Sequence, residues 1–76
     1  MLETYMKIFC EAFEIEEAEA KDATNESLET WDSLRHMNLI VALEDEFSVE
    51  FEPEDVMEIN SYQSGVELLR KYGIAL

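Results

Sequence analysis

The apolar residues recur at helical spacing from the start of the chain. Leu2, Tyr5, Met6, Phe9, Ala12 and Phe13 share one face of a helix that turns every ~3.6 residues. Cys10 falls on or beside that face and reads as a small buried apolar residue. From Glu14 to Asp32 the periodicity fades, and Lys21-Asp22-Ala23-Thr24-Asn25-Glu26-Ser27 gathers residues that favour turns and caps. A long loop is therefore predicted here, of the kind that is functional or loosely ordered, with Ile15, Leu28 and Trp31 pinning it to the core. A second helix is predicted from Ser33 to about Phe47, its exposed amides capped by Asp32 or Ser33. Leu34, Met37, Ile40, Val41 and Leu43 form its apolar side and Phe47 closes it.

Phe51-Glu52-Pro53-Glu54-Asp55 reads as another helix start, because proline suits the first turn and the acids suit its dipole. Val56, Met57 and Ile59 make this a short third helix. Asn60-Ser61 ends it and caps a fourth, with Tyr62, Val66, Leu69 and Tyr72 facing inward and Gly73 at the C′ position. The expected architecture is all-α: a four-helix bundle with three longer helices, a short third helix and a long loop between the first two. Residues 1–76 suffice for one domain and not for two.

Charge narrows the possible partners. Five Lys plus Arg stand against nineteen Asp plus Glu, a formal net charge of −14. Such a chain repels nucleic acid and lacks the basic clusters that dock on anionic lipid. Basic protein surfaces are attracted instead, and steered in quickly. Hydrophobic residues still make up 47% of the chain, so it is no disordered acidic tail. One cysteine excludes an internal disulfide, and the first residues lack the basic and apolar regions of a signal peptide. Leu39 to Leu43 is too short to span a bilayer. A cytoplasmic protein is expected. Glu44, Asp45 and Glu46 sit at a helix C-terminus, where the macrodipole disfavours acids, and so point to an outside partner.

Trp31-Asp32-Ser33-Leu34 opens the second helix after the long loop, and that helix ends Ala42-Leu43-Glu44-Asp45-Glu46-Phe47. Together with Val49-Glu50-Phe51, the Pro53-Glu54-Asp55 turn, the length and the acidity, this resembles the acyl carrier protein family over essentially the whole chain. The resemblance implies a phosphopantetheine arm joined covalently to Ser33 by a phosphopantetheinyl transferase, with a thioester cargo on its terminal thiol. It implies that Asp32 positions the serine in the transferase, and that Leu34 and Met37 contribute to docking or to the mouth of an acyl cleft. It places Arg35, His36, Met37, Glu44 and Asp45 on the surface read by acyl-loading and acyl-processing enzymes with basic docking faces. The chain has Glu29-Thr30-Trp31 where the fatty-acid carriers usually have a glycine shortly before Asp-Ser-Leu, and Arg35, His36 and Asn38 where they carry acids. In this it resembles carriers dedicated to polyketide, lipid or surface-glycan modification, and the resemblance implies a role in fatty acid, polyketide or specialised lipid or glycan-modification biosynthesis. A monomer is expected, since a carrier must present one helix to successive partners.

Four other readings compete. Ser33 and His36, three apart on one helix with Asp32 nearby, invite a hydrolase triad, but no oriented base or oxyanion hole accompanies them. A calcium loop starting at Asp22 fails because its sixth and twelfth positions hold Ser27 and Ser33 in place of glycine and glutamate. No metal site is expected. An unmodified interaction module and a carrier of amino acids or peptides remain as alternatives; the intact Asp32-Ser33-Leu34 opposes the first, and the acidity and short length favour acyl cargo over the second.

Overall fold

In the computed structural model, which describes residues 2–76, helix α1 (Leu2–Phe13) runs as far as its apolar spacing does. Tyr5, Met6, Phe9 and Phe13 are buried, whereas Leu2 stays outside the core. Glu14 then adopts a left-handed conformation (φ 56°) that stops the helix. The expected long loop contains an extra turn, α2 (Glu17–Ala20), which buries Ala20. Four residues are too few to show a period, so only the early acids mark it in the sequence.

The remainder of the loop is ordered by short-range bonds. Thr24 Oγ1 accepts from the amides of Glu26 and Ser27, and Ser27 Oγ accepts from the Thr24 amide. Two backbone bonds then stitch it to the start of the last helix: Asn25 N–H to Asn60 O (2.8 Å) and Tyr62 N–H to Ala23 O (3.1 Å). Ile15, Leu28 and Trp31 are half-buried against the core, as expected.

Helix α3 (Ser33–Phe47) packs chiefly against α1 and closes at Ser48 in the left-handed region. Its apolar side is split. Leu39, Ile40, Leu43 and Phe47 are buried, but Leu34, Met37 and Val41 face solvent, so only part of the expected apolar side packs into the core. Apolar residues cover too wide an arc of this helix for all of them to meet one neighbour. Helix α4 (Pro53–Glu58) has proline at its first turn, and Ile59 is buried just beyond it, yet Met57 is 84% exposed. Helix α5 (Tyr62–Lys71) begins with a reciprocal Ser61–Ser64 capping box and ends before Gly73, whose φ of 88° suits glycine.

An aromatic cluster fills the interior. Phe9 contacts Tyr5, Phe13, Trp31 and Tyr62, with ring centroids 4.9–5.9 Å apart, and Trp31 stacks on Phe13 at 4.2 Å. Tyr5 Oη donates to the Tyr62 carbonyl at 2.7 Å, and burial pushes the Tyr5 phenol far up. Tyr62 Oη, by contrast, is buried without a partner among the described residues. Tyr62→Phe is therefore expected to be neutral or to stabilise by up to about 1 kcal/mol, since it removes an unsatisfied group. Urea unfolding checks this, and a clear loss of stability would contradict it.

Asp55, expected only as a dipole-matched acid, is buried and ties α4 to the end of α5. Its Oδ2 accepts from Tyr72 Oη (2.6 Å) and its Oδ1 from Lys71 Nζ (3.0 Å). The Tyr72 bond first, and Lys71 second, hold its carboxyl below the ordinary range. The bonds thus stabilise the fold above the unfolded value of about 3.9, and that stability is lost as pH falls through the lowered native value. Asp55→Asn should melt several degrees below the wild type at pH 7, and the gap should close in acid. A gap constant with pH would contradict the pairing.

Candidate functional site

Ser33 stands at the junction of the ordered loop and α3. Asp32 is the N-cap, with extended backbone, and its Oδ1 accepts from the Arg35 amide at 2.8 Å. That bond, then the Arg35 guanidinium, lowers the Asp32 carboxyl below its usual range. Ser33 follows as the first helical residue and is exposed. Its own amide belongs to the helix end whose N–H groups lack intrahelical partners, so the site carries positive dipole potential. An anion joined to the Ser33 hydroxyl meets a favourable field there.

Arg35 holds this end of the helix to α1. Its Nε and Nη2 donate to Glu14 Oε2 (3.0 and 2.7 Å) while Nη1 donates to Asp32 Oδ2 (2.8 Å). The guanidinium therefore offsets two acids beside the serine, and those acids in turn raise the Arg35 pKa, Glu14 most. The role of Glu14 had no signal in the sequence, since a lone acid after a helix looks like any solvated residue.

His36 is turned inward. The Trp31 indole N–H can only donate, and it does so to His36 Nδ1 at 3.2 Å. The ring proton then lies on Nε2, which donates to the Val56 carbonyl at 2.9 Å. Both ring nitrogens are engaged with Trp31 and Val56, neither with Ser33, so this arrangement offers the serine no general base. A strap results, running from the loop through α3 to α4, and its Trp31 and His36 line the same groove as Ser33.

Of the residues expected on the docking surface, the structure leaves Leu34, Met37 and Asp45 exposed. Arg35 and His36 are instead tied into the fold, and Glu44 is half-buried with its Oε2 accepting from the Phe51 amide at 2.9 Å. Two grooves lie along this end of the molecule, and Ser33 lines the smaller of them. One, of about 340 Å³, is lined by Asn25, Ser33, His36, Met57, Ile59 and Asn60. The other, of about 530 Å³, lies between α1 and α3 and begins at Leu34. Neither groove was legible in the sequence, because each joins residues far apart along the chain. Among the described residues no cluster of His, Cys, Asp and Glu is arranged to hold a metal ion, and no helix is long and apolar enough to cross a membrane. Burial, then Glu17 and Glu19, push the Cys10 thiol up, away from a reactive thiolate.

No curated protein matches the chain closely enough to count as a relative. The family defined by the phosphopantetheine attachment site matches residues 6–69, from the first turns of α1 to α5. That match, on an all-α fold of acyl-carrier type, implies a covalently attached phosphopantetheine group. The chain belongs to the phosphopantetheine attachment site family and is a carrier protein of the acyl-carrier type, working with transferases and processing enzymes.

Proposed function

We propose that Ser33 is the attachment serine and that the chain carries acyl intermediates, as thioesters, through a specialised lipid, polyketide or glycan-modifying pathway in the cytoplasm. The observation that carries the site is the placement of Ser33: an exposed hydroxyl on the first residue of a 15-residue helix, next to a capping Asp32. When bound, the arm supplies a flexible terminal thiol that holds the cargo.

The residues present fit that group. Attachment forms the bond from Ser33 Oγ to phosphorus and breaks the phosphoanhydride bond of coenzyme A, releasing adenosine 3′,5′-bisphosphate, while the hydroxyl proton leaves to a base of the transferase. The helix end favours the new phosphodiester anion. Asp32 opposes it by like charge, and Arg35 offsets Asp32 through the 2.8 Å pair. Exposed Leu34 and Met37 offer a partner apolar contacts on the same helix, and Asp45 with the net charge of −14 favours a basic docking face.

Incubation with coenzyme A and a broad-specificity phosphopantetheinyl transferase should add one phosphopantetheine to the wild type. Ser33→Ala should add none while keeping the wild-type far-UV circular dichroism. Equal modification of both proteins, read by intact mass spectrometry, would remove Ser33 from its role.

A further inference from the structure

We propose that His36 is a positioning residue for loading at Ser33: it ties the loop and α4 to α3, and so holds in register the three segments that an enzyme meets on its way to the serine. The inference rests on the attachment of the arm to Ser33.

Helix α4 needs polar ties to stay in place. Within its bounds Asp55 is the buried residue, Val56 is half-buried and Met57 is exposed, so no apolar side chain of the helix itself enters the core fully. Phe51 and Ile59 are buried just before and just after it. A segment with so little buried apolar surface opens locally at small cost unless hydrogen bonds hold it. Two ties do so, on adjacent residues. The Asp55 carboxylate accepts from Tyr72 and Lys71 at the end of α5, and the Val56 carbonyl accepts from His36 Nε2 of α3 at 2.9 Å. That carbonyl is among the last of α4, which lack a donor from a further helical turn, and the Ile59 amide reaches it only at 3.4 Å. His36 supplies its close donor.

The other ring nitrogen holds the loop. Nδ1 accepts from the Trp31 indole at 3.2 Å, which leaves the ring proton on Nε2, the tautomer that can donate to Val56. Each bond therefore favours the other. Trp31 is itself stacked on Phe13 at 4.2 Å, so the loop end of the strap is anchored in the aromatic cluster. Position is thus passed from the core, through one imidazole, to the lightly held α4.

The strap matters to Ser33 because the same groove joins them. Trp31 and Asp32 line it from the loop, Ser33 and His36 from α3, and Met57 from α4. An enzyme that reaches the Ser33 hydroxyl meets both walls, and Met57, 84% exposed, is the large apolar side chain on the α4 wall. Binding to three segments at once costs less when they are already ordered relative to one another. Cutting the strap leaves the Asp32 cap and the Asp32–Arg35 pair intact, since those bonds do not involve the imidazole. The loss therefore falls on docking and not on the transfer step.

The test follows loading of the full chain by coenzyme A and a broad-specificity phosphopantetheinyl transferase, with KM for the carrier and kcat read separately. Intact mass of the wild type is read first; absence of any arm overturns the carrier reading itself, and this inference with it. With the arm confirmed, His36→Ala is expected to raise KM about 3–10-fold, the worth of one hydrogen bond, at unchanged kcat. Amide hydrogen exchange from Met57 to Ile59 should quicken in the same variant. His36→Gln keeps a donor for the Val56 carbonyl and should restore most of both. Trp31→Phe removes the indole N–H, keeps a ring on Phe13 and should raise KM in the same sense, which tests the strap even where His36→Ala does not fold. An unchanged KM in either folded variant would overturn the inference. So would equal losses in His36→Gln and His36→Ala, or a fall in kcat alone. Val66→Ala, buried in α5 and outside the groove, should lower the melting temperature and leave KM unchanged. A matching rise in KM there would reduce the effect to general loosening and overturn the role of His36.

Discussion

Gly65→Ala should destabilise the fold severely, although alanine is the better helix former by about 1 kcal/mol. Gly65 lies inside α5, and a Cβ built there overlaps the hydroxyl of Tyr5 and stands 3.0 Å from its Cζ. Tyr5 has no room to yield. It is completely buried, packed on Phe9 and Tyr62, and fixed by its hydrogen bond to the Tyr62 carbonyl. Overpacking costs about 1–3 kcal/mol, and loss of the buried hydrogen bond costs about 1–3 kcal/mol more. Together these outweigh the gain in helix propensity. Tyr5→Phe removes the overlapping oxygen and leaves only the tight ring carbons, at 3.0 and 3.3 Å, to adjust. The double variant should therefore be more stable than the sum of the two single losses implies. Urea unfolding of all four proteins measures that coupling. Additive losses would contradict the contact, and a stabilising Gly65→Ala would contradict the packing of α1 on α5.

Phe9→Ala should come close to unfolding the protein. Phe9 is fully buried and touches four other rings, so its removal opens a cavity that no single neighbour can fill. Such truncations cost about 3–5 kcal/mol. A 76-residue domain has about 4–11 kcal/mol in total to lose. The expected outcome is a collapse of the melting transition and of the near-ultraviolet signal of Trp31, which stacks on Phe13 beside the cavity. A variant that kept a sharp transition close to that of the wild type would show that the cluster is not the centre of the fold.

The fold is most legible in the sequence where its determinants are local. The Asp32 cap, the proline of α4, the Ser61 cap and the glycine after α5 each act within a few residues, and each occurs where the residue type requires it. Periodicity was less sufficient for α3, because it reports which residues are apolar and not how many neighbours will cover them. Leu34, Met37 and Val41 belong to the apolar side of the pattern and yet are exposed, which for Leu34 and Met37 suits the docking role that the resemblance implies. Contacts between distant parts of the chain were not legible at all. Glu14 meets Arg35 across 21 positions, His36 meets Val56 across 20, and Asp55 meets Tyr72 across 17. These pairings redirect Arg35 and His36 from the surface to the frame that holds Ser33 outward.

The attachment of the arm at Ser33 is tested most directly by fragmentation mass spectrometry of the wild-type protein after reaction with coenzyme A and the transferase. The account predicts one phosphopantetheine per chain, carried by the fragment that contains Ser33 and by no fragment holding Ser27, Ser48, Ser61 or Ser64. An arm found on any of those four serines, or a folded protein that stays unmodified, would contradict it.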